Sequence, residues 1–274
     1  DHRDLHSFPT RRSSDLLDLI RNYFPPEIKN DASFQKHMLK EYLQLLILDF
    51  LSATPYIGRI AFIGGTNLRL VKGIDRFSED LDFDCKKLSK EEFLGMTDAV
   101  LLFLQRSGFH AEVRDRENDK LKAFRRNIHF PEFLFEVGLT GHRDERFLIK
   151  VESQDQLIPY ESMMVNVKGC GFYFPFPVPS DAVLCSMKLS AMLTRHKGRD
   201  FYDAMFLLGQ TKPDYTFLTK KHGIRDLEEL KAATSEMLKT VDLNIKKRDF
   251  EHLLFNKRNS ERILSFNGFF QELK

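Results

Sequence analysis

Asp80 and Asp82 stand two apart in the run Asp80-Leu81-Asp82-Phe83. In an extended strand this spacing turns both carboxylates to one face while Leu81 and Phe83 go to the other. Two carboxylates on one face supply hard oxygen donors for a divalent metal. Upstream, Ile63-Gly64-Gly65-Thr66 closes an apolar run. A glycine pair after a strand lets backbone amides approach a ligand closely, and amides that open a following helix suit phosphate. Metal carboxylates together with a phosphate cradle point to nucleotide chemistry. Blander readings stand beside this one: an exposed strand face with Asp80 and Asp82 ion-paired to Arg69 or Arg76, and a plain strand-to-helix turn at Gly64 and Gly65.

These residues need strands and short turns to hold them. Strands are predicted at 60–63 and around 81–83, with a short helix between them that ends near Gly73. Before them, Ser33 is expected to cap a packing helix over KHMLKEYLQLLILDFLS, where Met38, Tyr42, Leu45, Leu46 and Phe50 recur at helical spacing. After them, Ser89 and Glu92 form a capping-box pattern for a helix through Val100 and Leu104, closed by Gly108. HAEVRDRE, KAFRRNIHF, RFLIKVES, SMMVNVKG and GFYFPF read as strands. From Ser180 the pattern is helical to the end, with breaks near Gly198, Pro213, Gly223 and Asn244. Strands first and helices second argue an α+β fold: a mixed β-sheet domain with flanking helices over 17–178, then a helical C-terminal domain over 179–274. The joint is placed at FPFPVPSD, with its three prolines.

Composition narrows the classes. The chain has 274 residues and a net charge of +2, so it is no general magnet for nucleic acid. The cluster Lys120, Lys122, Arg125 and Arg126 and the basic C-terminal helices read either as a local groove or as solvated faces. No stretch approaches the roughly 20 apolar residues that span a bilayer, so no membrane partner is expected. Three cysteines are too few and too scattered for a disulfide framework or a four-ligand zinc site, and buried thiols in a reducing cytoplasm are the expectation. His129, His142 and His196 lack metal-ligand spacing. The first sixteen residues, DHRDLHSFPTRRSSDL, have neither helix nor strand periodicity and back-translate codon by codon to a common short-read sequencing adapter. Segment 1–16 is therefore expected to be adapter read-through, with the natural chain starting at or after Leu17 and its true N-terminus missing. A disordered polar tail is the alternative.

Ile63-Gly64-Gly65-Thr66 followed by the octet Arg76-Phe77-Ser78-Glu79-Asp80-Leu81-Asp82-Phe83 resembles the AbiEii/AbiGii abortive-infection toxins. These are toxins of type IV toxin–antitoxin systems in the DNA polymerase β-like nucleotidyltransferase superfamily. Two later motifs extend the resemblance: Lys188 to Arg195 on one helix, and Arg199-Asp200-x-x-Asp203. The resemblance implies a Mg²⁺- (or Mn²⁺-) dependent transfer of a nucleotide from an NTP to RNA, with tRNA as the suggested acceptor. It further implies an antitoxin that need not bind directly, and a role in phage defence in the cytoplasm. Asp80 and Asp82 are then catalytic metal ligands. A third carboxylate, metal ligand or general base, is usual in the superfamily, and Glu152, alternating with Ile149 and Val151, is the candidate, although any amphipathic strand can carry a Glu. Gly64, Gly65 and Thr66 are expected at the triphosphate, with Lys188 placing a compact positive charge there. Arg76 and Ser78 either touch the nucleotide or, with Glu79, position the loop. Arg199 and Asp203 carry function through the resemblance, or pair four apart on a helix surface. Two other functions are weighed: an NTP-binding module without transfer activity, which the intact Asp80, Asp82, Gly64 and Lys188 oppose, and a small-molecule nucleotidyltransferase of the aminoglycoside-modifying kind, which the octet disfavours.

Overall fold

The computed structural model describes residues 13–86, 88–115, 123–153 and 155–274, with side chains from Leu16 onward. Most of the 1–16 segment, together with Lys120 and Lys122, lies outside the described residues. In chain order the elements are α1 (Ser13–Arg21), α2 (Pro26–Lys29), α3 (Ala32–Ser52), β1 (Ile60–Ile63), α4 (Gly64–Leu70), β2 (Asp80–Cys85) and α5 (Lys90–Arg106). There follow β3 (Glu112–Val113), β4 (Phe124–His129), α6 (Phe133–Glu136), β5 (Leu148–Ser153), β6 (Ser162–Gly169) and β7 (Phe172–Pro179). The rest is helical: α7 (Asp181–Arg195), α8 (Gly198–Leu208), α9 (Tyr215–His222), α10 (Leu227–Leu238), α11 (Leu243–Lys246) and α12 (Phe266–Gln271). The fold is α+β, and the chain divides into two compact units.

The sheet unit comprises the chain up to Phe62 with Ser78–Gln156 and Val165–Pro177. Its mixed sheet has the order β1-β2-β5-β4-β3, with β2 parallel to β5, and β4 antiparallel to both β5 and β3. Leu81, Phe83, Ile149, Val151 and Ile128 are buried on one sheet face, which α5 covers, its Phe93 ring meeting Phe124 at 5.7 Å. The capping box forms as read from sequence: the Glu92 amide donates to Ser89 Oγ and the Ser89 amide to Glu92 Oε2. The cap of α3 differs. Asp31, not Ser33, is the N-cap, and its carboxylate accepts from the Ser33 amide at 2.8 Å. Every residue from Met38 to Leu48 on α3 is buried, so this helix runs through the unit's core rather than along its surface. The abundance of phenylalanine has a structural counterpart in edge-to-face and tilted clusters, Phe130 with Phe109, Phe133 and Phe147, and Phe62 with Phe83 and Phe176.

β6 and β7 form a separate two-stranded sheet. The proline-rich stretch at the expected joint forms the end of β7, with Phe174, Phe176 and Val178 buried, and the boundary between the two units falls within it, between Pro177 and Val178. A two-stranded ribbon leaves one side of each strand unpaired, and there proline's missing N–H costs nothing.

The helical unit comprises Ile63–Phe77, Leu157–Met164 and Val178–Lys274. Segment 63–77 belongs here because Leu68 and Ile74 join the core of Leu184, Leu189, Phe201, Leu207, Phe250, Leu254 and Phe266. Backbone bonds fix it further: Phe77 N donates to Leu253 O at 2.8 Å and Phe255 N to Asp75 O at 3.1 Å. The break expected near Gly198 lies between the end of α7 at Arg195 and Gly198, which opens α8, and Lys257–Ser265 winds as a 3-10 helix. Among the described residues no helix is long and apolar enough to cross a membrane.

Candidate active site

The octet at 76–83 is held residue by residue. In the sheet unit, the side chain of Gln44 on α3 donates to the Ser78 carbonyl at 3.1 Å, and Lys40, one turn earlier, donates to Glu79 Oε1 at 2.8 Å. Gln44 and Lys40 are themselves buried. The chain therefore enters β2 in a fixed register. Asp80 and Asp82 are half-buried on one face, while Leu81 and Phe83 are fully buried on the other.

Register brings the third carboxylate alongside. Asp82 pairs with Glu152 and Asp80 with Lys150 across the β2–β5 ladder, and Arg125 on β4 pairs with Glu152 from the other side. Asp80, Asp82 and Glu152 thus share one face with two cations. Lys150 Nζ lies 3.1 Å from Asp80 Oδ1 and 3.8 Å from Glu152 Oε1, and Arg125 Nε lies 2.7 Å from Glu152 Oε1. The donor chemistry fits a hard divalent cation. Yet among the described residues no three His, Cys, Asp or Glu side chains converge into a metal-holding group. Alternation within β5 puts Lys150 on the same face as Glu152, whereas its place beside Asp80 and that of Arg125 beside Glu152 come from strand register, which is not written in either strand. Asp84, the third Asp of the run, is buried and accepts from the Gln156 amide at 3.0 Å, a structural bond.

In the helical unit, Gly64 has φ +80°, a left-handed conformation that favours glycine, and it opens α4. Gly65 is buried, and Thr66, expected to donate to a phosphate, is fully buried. The unit's central feature is a buried charge cluster. Arg76 Nε donates to Asp203 Oδ1 and Nη2 to Oδ2, each at 2.7 Å, and Lys188 Nζ donates to Asp203 Oδ2 at 2.9 Å. Arg76 is 1% exposed, Asp203 0% and Lys188 6%. Burial pushes the Asp203 carboxyl up, but Arg76 and Lys188 outweigh it and hold it well below the usual carboxylate range. Burial lowers the Lys188 ammonium, against the pull of Asp203.

A family model described as the nucleotidyl transferase AbiEii toxin of type IV toxin–antitoxin systems matches residues 46–266. The chain belongs to this family. Solved structures share the fold of this AbiEii-family chain. The nucleotidyltransferase toxin MenT4 from Mycobacterium tuberculosis is 18% identical, with a TM-score of 0.57 over 94% of this chain and 90% of that one. JHP933 from Helicobacter pylori is 21% identical, with a TM-score of 0.52 over 86% and 91%. No curated protein matches.

In the AbiEii-family chain the structure separates the two aspartates of Arg199-Asp200-x-x-Asp203. Asp200 binds Arg195 through both oxygens and accepts from the Lys197 amide, tying the end of α7 to the start of α8. Asp203 points inward to Arg76 and Lys188. The surface pairing of Arg199 with Asp203 is therefore overturned: Asp203 is buried in another bond, and Arg199 is half-exposed on α8. Arg76 is likewise committed to Asp203 and to the Phe77 carbonyl. Among the histidines, His129 is buried beside Glu112, His142 is exposed, and His196 takes the left-handed cap of α7. All three cysteines are free and buried.

Proposed function

We propose that this AbiEii-family nucleotidyltransferase toxin moves a nucleotide from an NTP to RNA, at the acceptor end of tRNA, in a divalent-metal-dependent reaction. The observation that carries the reading is the shared sheet face of Asp80, Asp82 and Glu152, with Glu152 directly across from Asp82. In this reaction an acceptor hydroxyl attacks the α-phosphorus, a new P–O bond forms, and the bond to the β-phosphate breaks to release pyrophosphate. Asp80, Asp82 and Glu152 would hold magnesium or manganese, which when bound supplies positive charge at the reacting phosphate and the leaving group.

The chain's own residues do the positioning. The left-handed turn at Gly64 gives the backbone its sharp entry into α4, where the triphosphate is expected. Lys188 carries the positive charge assigned to the triphosphate, and Asp203, fixed by Arg76, sets where that ammonium can reach. Arg199, half-exposed, is a second cation for phosphate. A cognate antitoxin that need not bind the toxin, and a cytoplasmic site of action, complete the reading.

The test is transfer from each α-labelled NTP to bulk bacterial RNA with Mg²⁺, comparing the chain with its Asp80→Ala, Asp82→Ala form. Label on RNA that disappears in the double variant is the expected result. Mg²⁺-dependent NTP binding without label on RNA would overturn it in favour of a binding module or a small-molecule acceptor.

A further inference from the structure

The sheet face that carries Asp80, Asp82 and Glu152 presents a conflict. Its donors suit a divalent cation, yet their oxygens do not converge as a metal-holding group, and a lysine stands among them. Lys150 Nζ is within 3.2 Å of both Asp80 oxygens and 3.8 Å from Glu152 Oε1. Its side chain is 28% exposed, so it reaches the carboxylates from a position open to solvent. Three like charges on neighbouring strand positions repel, and an ammonium between two of them offsets that repulsion. A metal ion bound at Asp80 needs the same oxygens. Its double positive charge at that carboxylate repels an ammonium that sits against both oxygens.

We propose that Lys150 is the resident counter-ion of the carboxylate face, a positioning residue that holds Asp80 and Glu152 and must be displaced when a divalent cation binds. The inference rests on the metal-dependent reading above. Lys150 suits the role because an ammonium on a four-carbon stem can swing clear without disturbing the strand. Arg125 is different. Its guanidinium bonds Glu152 at 2.7 Å and pairs across the β4–β5 ladder, so it orients Glu152 whether or not Lys150 has moved.

Calorimetric titration of Mn²⁺ into the full chain tests the idea, comparing wild type, Lys150→Gln and Lys150→Arg. Lys150→Gln is expected to bind Mn²⁺ at least about fivefold more tightly, the low end of a typical coupling between two binding events. Lys150→Arg, which keeps the charge, stays near wild type. Equal or weaker binding by folded Lys150→Gln overturns the proposal. Asp82→Asn separates the two layers. If it abolishes Mn²⁺ binding while Lys150→Gln does not tighten it, only the Lys150 inference fails. If wild type binds no Mn²⁺, or binds it regardless of Asp82, the metal reading fails and this inference with it. Should Lys150→Gln not fold, amine acylation of Lys150 in wild type is read by mass spectrometry. Mn²⁺ should speed the labelling by freeing the ammonium, and an unchanged rate overturns the proposal.

Discussion

Asp203 accepts from two nitrogens of the Arg76 guanidinium, one to each carboxylate oxygen at 2.7 Å, across 127 residues of chain. The octet that ends in the two strand aspartates thus begins with a residue locked to α8 in the helical unit's interior. Asp203→Asn would leave Arg76 and Lys188 buried without their counter-ion, and breaking a buried pair from one side costs about 3–5 kcal/mol. Arg199→Ala, on the same helix but half-exposed, should change stability by less than about 0.5 kcal/mol. Urea unfolding of the two variants checks the contrast. Similar losses would show that Asp203 is not the keystone of this cluster.

The same cluster sets an acid limit. Arg76 and Lys188 hold the folded-state carboxyl of Asp203 below its unfolded value, despite the burial that pushes it up. The unfolded chain therefore takes up this proton first as pH falls below about 4. The stabilisation is fully present above that pH and is lost progressively as pH falls toward the depressed folded value. Melting temperatures measured from about pH 6 to about pH 3 should fall steeply for wild type and less steeply for Asp203→Asn, whose side chain does not titrate. Parallel curves would contradict the assignment.

How much of this was legible in the sequence follows from the range of each interaction. The Ser89–Glu92 capping box and the alternation of Asp80 and Asp82 with Leu81 and Phe83 are local, so they appear in the structure as read. Glu152 could be named from alternation within β5, but its place opposite Asp82, and the place of Lys150 beside Asp80, depend on strand register. Helical spacing by itself offers Asp203 a partner only in Arg199, four positions away. Its true partners come from α7 and from the loop before β2, a long-range choice that helical spacing cannot reveal. The capping of α3 shows the limit of local rules as well. Asp31 and Ser33 are both good caps, and the structure starts the helix at the first.

Gln44 connects the longest helix of the sheet unit to the entry of β2, and its effect should reach the carboxylates without touching them. Its amide nitrogen donates to the buried Ser78 carbonyl at 3.1 Å, two residues before Asp80. Gln44→Leu keeps the apolar bulk of the side chain and removes the donor, so the carbonyl loses its partner at a cost of about 1–3 kcal/mol. The turn at Ser78 and Glu79 would then rest on Lys40 alone among these two helix contacts. A freed turn widens the range of Asp80 positions, and catalytic geometry tolerates little misplacement. The expected outcome is a lower melting temperature together with a fall in transfer rate that exceeds the loss of folded protein at the assay temperature. Hydrogen exchange at 78–82 gives the structural readout, with faster exchange in Gln44→Leu than in wild type. A variant that melts lower but exchanges and turns over normally would show that Gln44 supports the core of α3 and does not set the register of the aspartates.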